Sequence, residues 1–141
     1  MIHYTFESGL TIHEIKALYG SVGMTDYLKD PAGTAMGLAN STMITARDDD
    51  QQLVGLIRGL SDMHTIAMIQ DLLVMPDYQH QGIGHELLKT FTDYFKQVSR
   101  IVIVCNRPEL ASLYEKAGFV PESDTALTTF VHPRRLLEPR Y

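Results

Sequence analysis

The stretch VMPDYQHQGIGHELL, Val74–Leu88, decides how this chain is read. An apolar, strand-like run closes at Pro76, a polar turn follows, and Gly82 and Gly84 stand one residue apart where a helix pattern begins. A helix start leaves its first N–H groups without internal partners, and the macrodipole adds partial positive charge there. Together these hold phosphate. Gly82 and Gly84 lack Cβ, so backbone amides can close around oxyanions, and glycine also tolerates positive φ. Gln79 and Gln81 add neutral donors, and His80, His85 and Lys89 stand nearby. The predicted ligand is a phosphate or pyrophosphate, held mainly by backbone.

Two common phosphate-binding patterns fail here. A P-loop needs G-x-x-x-x-G-K-[ST], and no such string occurs. A dinucleotide turn needs a third small residue, but Gly82-Ile-Gly84-His-Glu-Leu87 puts leucine there, and no acidic residue ends the next strand.

Outward from the turn, the chain reads as alternating short elements. IHYTF, Ile2–Phe6, alternates like a strand, and Ile12, Ile15 and Leu18 recur at helical spacing. Thr11 with Glu14 three residues on is a capping box, and Gly20 and Gly23 end that helix. A second helix is expected over Pro31–Asn40. STMITARD and LVGLIRGL flank an acidic turn, RDDDQQ, and read as an antiparallel hairpin. TIAMIQDLLVM is a longer strand. Leu87, Leu88, Phe91, Tyr94 and Phe95 share one helical face, RIVIVCN is a strand covered on both sides, and PELASLYEKAGF is a helix with Gly118 at its C-cap. TALTTFV, Thr125–Val131, is expected as a final strand. This order predicts an α/β fold of mixed α+β type. Its central, largely antiparallel sheet carries helices on both faces, with a crossover between two parallel strands around the helix Gly84–Val98.

Composition sets the bounds. The 141 residues suit one domain, 1–141, with 45% hydrophobic and 21% charged content. No apolar run approaches the roughly 18 residues of a membrane span, and no secretory leader is visible at MIHYTFESGL. Cys105 is the single cysteine, so a cytoplasmic setting and no intrachain disulfide are expected. The net charge of −5 argues against a nucleic-acid partner. No membrane partner is expected either.

The residues then carry a resemblance. QHQGIG matches the [Q/R]-x-x-G-x-[G/A] signature of the GCN5-related N-acetyltransferase (GNAT) superfamily. DLLVMPDYQHQGIGHELL resembles that family's fourth strand, pyrophosphate turn and third helix; CNRPELASLYEKAGF resembles its fifth strand and fourth helix. The resemblance implies the GNAT acyl-CoA N-acyltransferase fold and acetyl-CoA as cofactor. It implies a V-shaped gap between the fourth and fifth strands, opened by a bulge. The backbone of Leu72, Leu73 and Val74 would pair with pantetheine there. The amides of Gln81, Gly82, Ile83, Gly84 and His85 would hold the pyrophosphate, and Asn106 would bond the cofactor arm. Tyr114 matches the family's helix-four tyrosine and would protonate the leaving thiolate; a phenol of reference pKa about 10 suits that task.

The acceptor side is read more openly. A primary amine is mostly ammonium at neutral pH, so a base must take its proton. Asp71 interrupts an apolar strand, where an acid is costly without a task or partner. It is expected either as that base or ammonium site, or in a structural hydrogen bond. Asp62 and His64 are expected as turn residues. Tyr19, Met24 and Tyr27 are expected to line an acceptor pocket suited to an apolar or aryl amine, with Asp26 nearby. Cys105 reads as a small buried hydrophobe rather than an acyl carrier, and the six histidines show no metal-ligand spacing, so no metal is expected. The basic tail HPRRLLEPRY reads as a solvated end or a dimer contact. The expected activity is direct acetyl transfer in a ternary complex to a small-molecule amine, with a homodimer as the expected assembly; the alternative is a non-catalytic acyl-CoA sensor.

Overall fold

The computed structural model describes residues 1–104 and 107–132. Five strands form one sheet in the order β1 (His3–Glu7), β2 (Thr42–Arg47), β3 (Leu53–Ser61), β4 (Ile66–Val74), β5 (Arg100–Ile103). The first three pairings are antiparallel and β4 with β5 is parallel. That parallel pair needs a crossover, which α3 (Ile83–Tyr94) supplies.

The sheet separates two apolar clusters. On one face, α1 (Ile12–Ser21) and α2 (Pro31–Ala39) bring Ile15, Leu18, Tyr19 and Leu38 onto Met43, Leu53, Leu56 and Leu73. On the other, α3 lays Ile83, Leu87, Leu88 and Phe91 on Ile44, Val54, Ile57, Ile69 and Leu72, and Tyr114 joins from α4 (Ala111–Lys116). Burial on both faces explains why these strands read as nearly continuous apolar runs. Among the described residues, no helix is long and apolar enough to cross a membrane.

Local chemistry fixes the ends as the sequence suggests. Thr11 accepts the Glu14 N–H at 3.1 Å, and the Glu14 carboxylate accepts the Thr11 N–H at 3.1 Å, completing the capping box. Gly118 takes φ +95, and the Phe119 N–H returns to the Tyr114 carbonyl at 3.0 Å. Two expectations differ. The helix expected to run to Val98 ends at Tyr94, although Phe95 and Val98 stay buried against it. No strand forms over Thr125–Val131. Instead the side chain of Glu122 accepts from the N–H and hydroxyl of Thr129, which holds the segment in its own turn, and Phe130 stays 89% exposed.

Gly59 allows α3 to sit close to β3. A Cβ there would stand 2.6 Å from Phe91 Cζ and 2.5 Å from the Met68 carbonyl oxygen. The first contact is with a ring wedged in the core and the second with backbone, so neither yields cheaply. Gly59→Ala is therefore expected to destabilise the fold by about 1–3 kcal/mol through overpacking. A urea midpoint equal to the parent's would contradict this.

Candidate active site

The fourth strand is broken where the site begins. Arg58 faces Asp71 across the β3–β4 ladder, but the next pair is Gly59 with Ile69, which leaves Gln70 as the extra residue of a bulge. On the other side, β4 pairs with β5 only over Ile66–Ile69. From Gln70 to Val74 the β5-facing edge of β4 has no strand beside it among the described residues. The pairing ends at Ile69 and Ile103, where the gap implied by the family resemblance would have its apex.

The bulge also changes which side chains share a face. Gln70 and Asp71, neighbours in sequence, both reach the α1 side. Asp71 is 4% exposed and accepts three hydrogen bonds: Tyr19 Oη at 3.0 Å, Tyr27 Oη at 3.0 Å and Arg58 Nε at 2.5 Å. Arg58 also donates to Tyr27 Oη at 3.3 Å and Ser41 Oγ at 3.2 Å, with its guanidinium over the Tyr27 ring at 5.7 Å. Gln70 Nε2 donates to Tyr27 Oη at 3.3 Å. Burial pushes both phenols up, and the Asp71 charge beside them pushes them further, so Tyr19 and Tyr27 remain protonated and donate. Burial opposes the Arg58 charge, but the adjacent Asp71 outweighs it and holds the guanidinium protonated.

At the mouth of the gap, the chain leaves β4 and enters the glycine turn. Gly82 has φ +87, a conformation that favours glycine, and a Cβ there would meet nothing within 4 Å. The N–H groups of Gln81, Gly82, Ile83, Gly84 and His85 donate to no acceptor within the described residues; the first closing bond runs from the Glu86 N–H to the Gly82 carbonyl at 3.0 Å. Five adjacent donors at the positive end of a 12-residue helix have the arrangement that suits an anion. The glutamine side chains serve the turn itself: Gln79 Nε2 donates to the Val74 carbonyl at 2.9 Å and Gln81 Nε2 to the Asp77 carbonyl at 3.4 Å. Gly84 differs from Gly82. Its Cβ would lie 3.2 Å from Leu113 Cδ2, so it lets α3 pack on α4.

The other sequence-predicted residues fall into three places. Leu72 packs in the α3-side cluster, Leu73 in the α1-side cluster, and Val74 is half-buried against α3, so the strip offers backbone at its edge while its side chains are core. Tyr114 is 8% exposed, packs edge-on against Phe119 with centroids 6.3 Å apart, and lines a groove of about 680 Å³ between β5 and the segment after α4. It stands on the α3 side, whereas Asp71 reaches the α1 side. The structure thus places the two on opposite faces of the sheet. Tyr19 is fully buried; only its hydroxyl does polar work, on Asp71. Tyr27 and Met24 are half-buried, and Arg107 Nη1 reaches Met24 Sδ at 3.7 Å, joining the loop after α1 to the segment before α4. Asn106 and Cys105 lie outside the described residues. Asp62 caps the β3–β4 turn: the Thr65 hydroxyl first, then backbone N–H groups of residues 64–66, hold its carboxyl well below the usual range.

Sequence reasoning missed Arg58 and Gln70. The signal for Arg58 was present: LVGLIRGL and IQDLLV each carry one charge of opposite sign in an apolar strand, and such charges pair when strands are neighbours. Nothing marked Gln70, because its role follows from a bulge that has no sequence signature.

The fourth strand runs past its parallel partner and leads into a glycine turn at a helix start. The family model described as an acetyltransferase (GNAT) domain matches residues 22–129. The chain belongs to the GNAT family and is an N-acetyltransferase. It is 29% identical over 140 residues to the uncharacterised N-acetyltransferase ycf52 of Pyropia yezoensis, covering 94% of this chain and 78% of the relative. A GNAT-family acetyltransferase of Streptococcus pneumoniae superposes with TM-score 0.80 at 28% identity, covering 94% of this chain and 97% of the other. An aminoglycoside N-acetyltransferase solved in complex with CoA shares the fold, with TM-score 0.69 at 10% identity over 94% of each chain.

Proposed function

We propose that this chain moves the acetyl group of acetyl-CoA directly to the primary amine of a small molecule, with both substrates bound at once. The observation that carries this reading is the five N–H groups of residues 81–85 that meet no acceptor among the described residues, set beyond a stretch of β4 that runs past its pairing with β5. The cradle suits a diphosphate and the open edge suits the two amides of a pantetheine arm. With the diphosphate on the turn, the arm runs back along Val74, Leu73 and Leu72 and brings the thioester to the apex of the gap. Residues 1–141 act in this reading as one catalytic domain.

In the transfer, the amine nitrogen attacks the thioester carbon, the C–S bond breaks, the nitrogen loses a proton and the sulfur leaves as a thiolate that is then protonated. Tyr114 is the proposed acid for the sulfur. Asp71, in contact with three donors and shielded from solvent, is better suited to hold Arg58, Tyr19 and Tyr27 in place than to receive a proton from the acceptor. We assign it that positioning role, with the amine proton passing to water.

Release of free CoA thiol across a panel of amines tests the reading; no release with any amine would overturn it. Given a working acceptor, Tyr114→Phe is expected to lower kcat by about 100-fold, the lower range for a lost general acid, with the Kd for CoA within about twofold of the parent. Equal turnover would remove Tyr114 from the chemistry.

A further inference from the structure

The bulge leaves one polar atom without a partner at the head of the gap. Gln70 is half-buried and its carbonyl oxygen Oε1 accepts no hydrogen bond among the described residues. Which end of the amide faces Tyr27 follows from counting protons. The Tyr27 hydroxyl has one hydrogen, and it goes to Asp71 Oδ1, because a carboxylate only accepts. Arg58 only donates, so its contact with Tyr27 Oη also uses the phenol as acceptor. The Tyr27 oxygen therefore has no hydrogen left for Gln70 and must accept from it. Gln70 presents its NH₂ to Tyr27, and Oε1 is turned away from the cluster.

The charge pair thus does more than hold two strands together. Asp71 orients the Tyr27 proton, Tyr27 fixes the amide of Gln70, and Gln70 carries an acceptor oxygen beside the last β4–β5 pair. On the proposed function, the thioester arrives at this apex. We propose that Gln70 Oε1 receives the N–H that the acceptor nitrogen keeps, and that Gln70 thereby selects primary over secondary amines. The chemistry supports the selection. A primary amine as free base has two N–H groups; one is lost when the amide bond forms, and the other remains throughout and can stay on Oε1. A secondary amine has one N–H and loses it in the reaction, so it cannot keep that bond to the end.

Gln70→Met retains length and shape but offers no strong acceptor. With acetyl-CoA saturating, it is expected to lower kcat/KM for primary amines about tenfold, the effect of one neutral hydrogen bond. The kcat/KM for secondary amines should move less than twofold, and the Kd for CoA should stay at the parent's value. Tyr27→Phe, which removes the anchor of the amide, should produce the same shift in amine preference, and the double variant should be no worse than either single one. An unchanged ratio of primary to secondary amine kcat/KM in Gln70→Met overturns the assignment while the parent still turns over. A parent that releases no CoA with any amine overturns the proposed function and this assignment with it.

Discussion

Asp71→Ala is expected to destabilise the fold by about 3–5 kcal/mol, the cost of leaving a buried charge without its partner. Arg58 would lose its carboxylate in a site where it is 9% exposed, and Tyr19 and Tyr27 would each lose the acceptor of their only proton. A domain of this kind has about 5–15 kcal/mol in hand, so the variant is expected to unfold at a much lower urea concentration with a similar slope. Arg58→Met should be damaging for the mirrored reason: it leaves Asp71 buried with two phenols and no cation. The double variant Arg58→Met, Asp71→Leu separates pairing from packing. Replacing a buried ion pair by apolar groups of like volume is often neutral, so the double variant should be more stable than either single one. A double variant as unstable as the sum of the two would mean that the pair contributes through shape rather than through charge.

The second large effect concerns the cradle. Gly82→Val is expected to weaken CoA binding by about 3 kcal/mol, roughly a hundredfold in Kd, as expected when two hydrogen bonds to a charged group are lost. A β-branched residue at φ +87 is strained, and its methyls would occupy the open space in front of the amides. Gly82→Asn is the control, because asparagine tolerates the left-handed region; it keeps the backbone shape and should bind CoA more tightly than the valine variant. Gly84→Val is expected to act differently. Its new atoms would press on Leu113, so the loss should show first in the thermal midpoint. Calorimetry giving the parent's affinity for Gly82→Val would mean that these amides do not hold the diphosphate.

Much of this architecture is readable from the residues. Capping at Thr11, the glycine turn and the first five strands rest on local chemistry or short-range periodicity, and the structure agrees with them; the helix faces agree in part, since Ile12 and Tyr94, read as apolar-face residues, stay exposed. The polar cluster is less legible. Asp71 drew notice as an acid in an apolar run, but its partners come from α1, the turn after it and β3, at separations of 52, 44 and 13 residues. Gln70 joins them only because the bulge turns two successive side chains to one face, which breaks the period of two that sequence reading relies on. Thr125–Val131 fails in the opposite sense. Its pattern is that of a strand, yet a strand needs a ladder partner, and local bonds from Glu122 hold the segment elsewhere.

The division of the interior into two compartments bears on how such proteins diversify. The glycine turn, α3 and Tyr114 belong to the compartment beneath the sheet, while Tyr19, Met24 and Tyr27 belong to the one above it. Substitutions in separate, non-touching regions tend to add. On the proposed function, drift in the upper layer can reshape what is accepted while the lower layer goes on holding the same donor, and a designer seeking new acceptors would vary the upper layer first.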